Sequence, residues 1–280
     1  MSRQKFASIV WNAVIFLGLV LVSVVVLWPI LYTVSSAFAP GNSIAALSPI
    51  PFASGFTASH FGYLFSSTLF FRWFLNSLII ALSVSAGTLL FASVAAYIFS
   101  RFNFVFKKGL LTTMLVLQIF PSFVGMIAIY VILLRIGALD TLWGLILVYL
   151  AGNMPYQMWM VKSYMDNIPR GLDEAARLDG ASHLRVYLQI ILPVARPILV
   201  FLAVTTFAAP WMDFIFPKLV LRSPEQQTLA LGLISFVSDK NSDFTTFAAG
   251  AITVAIPFMI FFLATQKSLI SSLSSGALKE

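Results

Sequence analysis

Long apolar runs alternate with short polar segments along the whole chain. Six of these runs are long enough to cross a bilayer, because a transmembrane helix needs about 20 predominantly apolar residues. They predict spans over residues 6–34, 71–99, 110–134, 142–165, 197–216 and 247–269. Pro210 is expected to interrupt the fifth span, since proline lacks an N–H and crowds the preceding turn. The pattern predicts an all-α, polytopic membrane protein with six transmembrane helices.

The longest polar segment covers residues 166–193, between the fourth and fifth runs, so it must lie outside the bilayer. Its first half has the spacing of a helix. Asp173 also precedes Arg177 by four residues, the order that favours an ion pair on a helix surface. The residues at helical spacing are Leu172, Ala175, Ala176 and Asp179.

The second half of this segment predicts a turn followed by another helix. Gly180 stands where a left-handed residue would end the first helix. Ser182 can accept a hydrogen bond from the first turn of the second helix. Pro193 is expected to stop that second helix. We therefore predict a helix, a tight turn and a second helix, all outside the membrane.

Composition agrees with a membrane protein and disfavours other classes. The chain is 60% apolar and only 10% charged, whereas a soluble domain carries far more charge. It has no cysteine, so disulfide and thiolate chemistry are excluded. The net charge of +7 could suggest nucleic-acid binding, but the basic residues flank the predicted spans and are better explained by membrane orientation.

The basic residues also predict which side of each span is cytoplasmic, since that side carries the excess of Lys and Arg. Both termini and the 166–193 segment fall on the richer side, as six spans require. The residues on that side are Arg3, Lys5, Arg101, Lys107, Lys108, Lys162, Arg170, Arg177, Arg185, Lys267 and Lys279.

The sequence offers no catalytic chemistry. It lacks the glycine-rich loop with Lys and Ser or Thr that cradles phosphates, and its two histidines, His60 and His183, fall on opposite sides of the predicted membrane. We expect neither enzyme activity nor a metal or cofactor site in this chain. Ionisable residues are also scarce within the spans, which disfavours a proton- or ion-coupled carrier.

A few polar or aromatic residues do lie within the predicted spans. Gln118, Asn153 and Trp211 are candidates to line a solute pathway. The alternative is that such residues make hydrogen bonds between helices or accompany proline kinks.

The polar segment also contains a recognisable motif. Glu174-Ala175-Ala176 is followed after three residues by Gly180, then after nine by Ile190, then by Leu192-Pro193. This pattern resembles the EAA motif of inner-membrane permeases in binding-protein-dependent ABC importers. The Ala-Arg-Leu-Asp-Gly-Ala core of the motif is typical of sugar importers.

The resemblance extends over essentially the whole chain. Asn76-Ser77, followed by Ala95-Ala96-Tyr97 and Arg101, is similar to the shared core of sugar permeases. Gln118-Ile-Phe-Pro121 and the C-terminal Ser-Ser-Gly-Ala-Leu-Lys resemble the MalG-type permease of maltose/maltodextrin importers. One departure is Met212, which follows Trp211 where many sugar permeases have Asn.

The resemblance implies a type I ABC importer permease fold with a cytoplasmic EAA coupling helix, forming a single domain over residues 1–280 with a coupling loop over about 166–193. It implies a permease subunit of an ATP-driven importer for sugars in the bacterial cytoplasmic membrane, with oligosaccharides such as maltose and maltodextrin as the expected solutes. The implied partners are a second, homologous permease, two ATPase subunits that bind ATP and Mg, an extracytoplasmic sugar-binding protein and membrane lipid, with no nucleic acid.

The resemblance also implies roles for three groups of residues. The residues expected to couple to the ATPase are Glu174, Ala175, Ala176, Arg177, Leu178, Asp179, Gly180 and Ala181. The tail residues expected to contact the ATPase are Gly276 and Lys279. The residues expected to contact the binding protein are Ser238, Asp239, Lys240, Asn241 and Asp243.

Three alternatives stay open. The first is an ABC permease for another solute, such as glycerol phosphate, phosphate or a polyamine. The second is a secondary carrier or channel, and the third is a membrane-embedded enzyme. The helix-turn-helix segment outside the membrane favours an ABC permease over the last two, since neither needs such a segment.

Overall fold

The computed structural model describes residues 3–119, 122–238 and 243–277, and within these ranges every regular element is helical. One π-helical segment, Tyr187–Ile191, and the 3-10 turns Ile44–Ala46, Pro224–Gln226 and Ser235–Val237 lie between the α-helices. The α-helices are α1 Arg3–Ala37, α2 Ser59–Ser67, α3 Phe70–Arg101, α4 Lys107–Ile119, α5 Ser122–Arg135, α6 Leu142–Asp166, α7 Gly171–Leu178, α8 His183–Val186, α9 Leu192–Val194, α10 Arg196–Met212, α11 Ile215–Val220, α12 Leu229–Ile234 and α13 Phe244–Ala277.

The six predicted spans correspond to α1, α3, the pair α4 and α5, α6, α10 with the start of α11, and α13. Among the described residues, three helices and two bent pairs are long and apolar enough to cross a membrane. These helices are Trp11–Ala37, Phe70–Arg101 and Phe244–Gln266, and the pairs are Lys107–Ile119 with Val124–Arg135 and His183–Val194 with Arg196–Met212. α6 is not among them, although its 25 residues match the thickness of the hydrocarbon core.

The third predicted span is not a continuous helix. α4 and α5 meet at an angle of 107°, so the span predicted over residues 110–134 is a bent pair of helices and not one helix. The sequence places Pro121 between them, outside the described residues. Proline disfavours the α conformation of the residue before it, which is a reason for a break at this point of the sequence.

The fifth span breaks at a different residue from the one predicted. Pro210 lies inside α10, which continues to Met212. A proline removes one helical hydrogen bond and often only kinks a helix. The chain leaves the helix at Asp213, whose backbone is extended (φ −76°, ψ 133°). The carboxylate of Asp213 then accepts a hydrogen bond of 2.9 Å from the N–H of Ile215, at the start of α11.

Pro193 does not stop the second helix of the polar segment, contrary to the prediction. Ahead of it the helix widens into the π-helical segment, where the N–H of Leu192 donates to the carbonyl of Tyr187. The wider turn relaxes the α-helical register in which a proline ring collides with the carbonyl four residues before it. The chain bends instead at Ala195, and α10 makes an angle of 78° with the helix that precedes it.

The chain divides into two compact units, residues 1–68 with 233–255 and residues 69–232 with 256–280. The prediction of a single domain stays a prediction. In the larger unit α3 packs closely on α6, and a Cβ added at Gly87 would lie 2.7 Å from the side chain of Leu150. In the smaller unit Ala37, Ala248 and Ala249 form a buried cluster, and the side chains of α1 from residue 11 to 31 are exposed.

Candidate functional site

The helix α7 ends in the turn predicted at Gly180. Gly180 has a φ of +85°, its N–H donates to the carbonyl of Arg177 (3.0 Å), and the N–H of Ala181 donates to the carbonyl of Ala176 (3.0 Å). These two bonds form a Schellman motif, in which a left-handed glycine lets the last carbonyls of a helix find partners. A Cβ added at Gly180 would meet nothing within 4 Å, so the backbone conformation alone favours glycine here.

Ser182 begins α8 as predicted. Its side chain accepts a hydrogen bond from the N–H of Arg185 (3.3 Å). The ring of the next residue, His183, packs on Phe102, with 4.9 Å between the ring centroids. The guanidinium of Arg177 in α7 donates to Nε2 of the same ring. The two helices are thus joined by a capped turn and by a side-chain contact across it.

The predicted ion pair between Asp173 and Arg177 is wrong. Asp173 pairs with Arg101 at the end of α3, with 3.1 Å between Nε and Oδ2, and the two side chains are only 14% and 8% exposed. Arg101 also donates to the carbonyls of Met165 (3.1 Å) and Ile168 (3.0 Å). A buried carboxylate depends on a close partner more than an exposed one does, which favours the pair across helices. Arg101 therefore ties together α3, the end of α6, and α7.

Buried side chains anchor the second helix of the segment to the same core. Val186 and Ile191 are buried among residues of α3 and α6. The hydroxyl of Tyr187 lies 2.8 Å from that of Ser93 in α3. The chain after the turn is thus held on the membrane helices by both apolar packing and a buried hydrogen bond.

The other face of the segment is open. None of residues 174–181 is buried, and Glu174 is exposed. Three leucines are also exposed here: Leu172 by 44%, Leu184 by 65% and Leu178 by 90%. Several exposed leucines in a short polar segment outside the membrane are typical of a surface that another protein covers.

The residues predicted to contact a binding protein precede α13 in the sequence, and the structure describes two of them, Ser238 and Asp243. Ser238 is exposed. Asp243 caps α13, because its Oδ1 accepts hydrogen bonds from the N–H of Thr246 (3.1 Å) and the hydroxyl of Thr245 (3.2 Å). Its carboxylate thus has a structural role whether or not it meets a partner. Outside the described residues lie Asp239, Lys240 and Asn241.

The two tail residues fall at the end of the described chain. Gly276 lies in α13, which the structure describes as far as Ala277. Lys279 lies outside the described residues. The predicted contact of this tail with an ATPase stays a prediction.

The three candidate pathway residues occupy different environments. Asn153 lines a cavity of about 660 Å³ in the larger unit. Gln118 is exposed on α4 and is not among the residues that line this cavity. For Trp211 the structure corrects the prediction, because its side chain is only 1% exposed. Its ring stacks on Phe207 (5.4 Å) and meets Phe74 edge-on (5.7 Å), so Trp211 is a core residue.

Tyr149 and Asp213, which the sequence pattern did not point to, line the same cavity as Asn153. The hydroxyl of Tyr149 donates to Oδ2 of Asp213 at 2.7 Å. Tyr149 precedes Asn153 by four residues, so the two lie on one face of α6. The sequence features that could have indicated this site are the four-residue spacing of Tyr149 and Asn153 and the position of Asp213 close to the break predicted at Pro210.

Comparison with known proteins identifies the class. Residues 88–270 match the family described as the binding-protein-dependent transport system inner membrane component. The match covers more than half of the chain, and the chain belongs to this family. It is therefore a multi-pass membrane component of an ABC transport system, as the EAA-like motif predicted.

Among individual proteins, the chain is 42% identical to the maltodextrin transport system permease protein MdxG of Bacillus subtilis, over 94% of this chain and 95% of that protein. It is 40% identical to the galactooligosaccharides transport system permease protein GanQ of the same species, over 94% of each. A solved bacterial ABC transporter involved in the import of the acidic polysaccharide alginate aligns with a TM-score of 0.77 and 22% identity, over 95% of this chain and 98% of that one. At this identity the likeness shows the fold alone, and it confirms the predicted type I ABC importer permease fold.

Proposed function

We propose that this chain is a transmembrane permease subunit of an ATP-driven importer of oligosaccharides. The names of two similar permeases, one for maltodextrin and one for galactooligosaccharides, support a saccharide as the solute. The chain forms half of the translocation pathway, and a second, homologous permease forms the other half. The continuously exposed apolar side chains of α1 offer surface for lipid and for that second subunit.

The observation that carries the coupling role is the contrast between the two faces of α7. One face is held by the Arg101–Asp173 ion pair and by the capped turn at Gly180. The other face presents Glu174 and Leu178 to solvent. A short helix that is fixed at its base and exposed at its outer face can transmit closure of an ATPase dimer as a rigid-body rotation of the helices behind it.

The remaining partners follow from the same proposal. Two separate ATPase subunits bind ATP and Mg, so this chain is not itself an enzyme, and its tail around Gly276 and Lys279 also contacts them. An extracytoplasmic sugar-binding protein meets the segment 238–243. Both termini and α7 are cytoplasmic, which the concentration of Lys and Arg on that side of the sequence supports.

The test is uptake into proteoliposomes that contain this chain, its partner permease and the ATPase, with the binding protein outside and ATP inside. We expect ATP-dependent accumulation of labelled maltotriose or galactotriose. This chain reconstituted alone should neither transport nor hydrolyse ATP. Accumulation of glycerol 3-phosphate or spermidine, with no uptake of either trisaccharide, would contradict a saccharide as the solute.

Two single variants, one a test and one a control, examine the coupling role in the same vesicles. Glu174→Ala should reduce retention of the ATPase on the permease, or separate ATP hydrolysis from uptake, because Glu174 is exposed and forms no ion pair among the described residues. Glu225→Ala is the control, since it removes an exposed glutamate from the loop between α11 and α12. Equal ATPase retention and equal uptake in both variants would show that Glu174 stabilises only its own helix.

A further inference from the structure

Three polar side chains meet in a cavity whose walls are otherwise apolar. Tyr149 and Asn153 enter it from α6, and Asp213 enters it from the break between α10 and α11. The remaining lining is mostly aliphatic, including Leu117 of α4 and Ile129 of α5. The volume of about 660 Å³ lies in the range of small-molecule sites, which are typically apolar with a few convergent polar groups.

The carboxylate of Asp213 is the acceptor of this set. One oxygen accepts from the N–H of Ile215 (2.9 Å) and the other from the hydroxyl of Tyr149 (2.7 Å). Within the described part of the chain, no Lys, Arg or His nitrogen lies within 4.0 Å of it. A carboxylate has about four lone-pair positions, so Asp213 can accept further hydrogen bonds from a ligand.

Asn153 supplies the donor. Its Nδ2 is shielded from solvent, and in the described residues it has no hydrogen-bond partner. A buried amide N–H without a partner costs free energy. Asn153 lines the cavity, so a ligand hydroxyl there could become the partner of this N–H once the amide turns toward it. A purely structural role explains the Tyr149–Asp213 bond and the cap on α11. It leaves the amide of Asn153 unexplained.

We infer that Tyr149, Asn153 and Asp213 form a subsite that binds hydroxyl groups of an uncharged saccharide as it passes through this subunit. A hydroxyl both donates and accepts, which matches a site that offers a carboxylate acceptor beside an amide donor. The aliphatic walls pack against the apolar faces of a sugar ring. The charge of Asp213 repels an anionic solute strongly in an apolar cavity, where charges are weakly screened. This inference rests on the proposed oligosaccharide import.

The test measures binding to the assembled permease–ATPase complex in lipid nanodiscs, without the binding protein. Equilibrium dialysis uses labelled maltotriose and galactotriose, in the nucleotide-free and the vanadate-trapped state. The alditol and the aldonate of each trisaccharide are compared. In both, the ring of the reducing-end sugar is open, and the aldonate has a carboxylate where the alditol has a hydroxymethyl group. We expect the wild type to bind a neutral trisaccharide in one of the two states, and to bind the alditol about tenfold more tightly than the aldonate.

Each variant removes one feature of the subsite and has a matched control elsewhere. Asp213→Asn should abolish the preference for alditol over aldonate, a change in selectivity that a general loss of structure would not produce. Tyr149→Phe and Asn153→Leu should each weaken binding of the neutral trisaccharide by about tenfold. The controls are Glu225→Gln, Tyr156→Phe and Asn12→Leu, whose side chains are exposed and do not line the cavity.

Two failures can be told apart. If proteoliposomes import a trisaccharide while all three variants bind and select like the wild type, the subsite is wrong and the proposed function stands. If the wild type neither imports nor binds either trisaccharide, the proposed function and the subsite both fail. Tighter binding of labelled spermidine than of either sugar would also overturn the subsite, since it would assign the carboxylate to a cation.

Discussion

Nε of Arg101 lies 3.1 Å from Oδ2 of Asp173, and this ion pair joins the C-terminal end of α3 to α7. The same guanidinium holds two carbonyls at the end of α6. A displacement of α7 therefore pulls on two membrane helices through one buried cation. Through this contact, the proposed movement of α7 on ATPase closure would be transmitted to the membrane helices, because packed elements move as rigid bodies rather than deform.

Breaking this ion pair should weaken both the fold and the coupling. Arg101→Met leaves the largely buried carboxylate of Asp173 without a cation, which costs roughly 3 kcal/mol for a buried pair. We expect a lower midpoint of thermal unfolding, and ATP hydrolysis that no longer depends on the loaded binding protein. Differential scanning fluorimetry and ATPase assays on the assembled complex measure the two effects.

Lys162→Met is the matched control, because it removes the cation of the ion pair between Lys162 and Asp166. The carboxylate of Asp166 is 43% exposed, so this loss should cost at most about 0.5 kcal/mol. Adding Asp173→Leu to Arg101→Met should recover part of the stability, since the buried charge is then removed. Equal unfolding midpoints for Arg101→Met and Lys162→Met would contradict the role assigned to Arg101.

Substitution of Gly180 should be costly because of its backbone conformation and not because of steric crowding. Its φ is +85°, and a Cβ there would meet open space. Gly180→Val should cost roughly 1 kcal/mol or more and misdirect α8, which would lower recovery of the ATPase in affinity purification. Gly180→Asn should be milder, because Asn tolerates the left-handed region.

Gly171→Ala is the control for Gly180, since its φ is not positive and a Cβ there is also unobstructed. We expect it to retain the ATPase like the wild type. Normal assembly and normal import by Gly180→Val would show that this turn does not position the coupling helix.

Asp140, in the turn before α6, should make the protein less stable as the pH becomes acidic. Burial raises the pKa of Asp140, but hydrogen bonds from Ser223 and from the N–H of Arg222, with the Arg222 charge, outweigh burial and place the pKa below its usual value. A lowered folded pKa stabilises the protein above the unfolded value and loses that contribution as pH falls through the folded value. As the pH falls below about 4, the midpoint temperature of thermal unfolding should therefore drop more for the wild type than for Asp140→Asn. Parallel plots of midpoint against pH for the two proteins would contradict this.

Sequence alone predicted the turn of the coupling segment because its determinants are local. Gly180 and Ser182 act on backbone groups within a few residues of themselves, so spacing along the chain was enough to place them. The approximate extents of the membrane helices were predictable for the same reason, since they follow from continuous apolar runs.

What the sequence could not supply were contacts between distant segments. Asp173 has a basic residue four positions away, yet it pairs with Arg101, which the sequence places in another helix. Trp211 lies within a predicted span, which made it a candidate pathway residue, and only its packing against Phe74 and Phe207 shows that it belongs to the core. Asp213 meets Tyr149 only after α10 and α6 come together.

The central claim, that α7 is the docking surface for an ATPase, can be tested by site-specific cross-linking. The chain has no cysteine, so Leu178→Cys provides a single attachment point at a side chain that is 90% exposed. A benzophenone maleimide placed there should, on illumination of the assembled complex, capture the ATPase subunit, and mass spectrometry identifies the product. The same label at Glu225→Cys should not capture it. Capture of the ATPase from position 225, or no capture from position 178 in an active complex, would contradict the account.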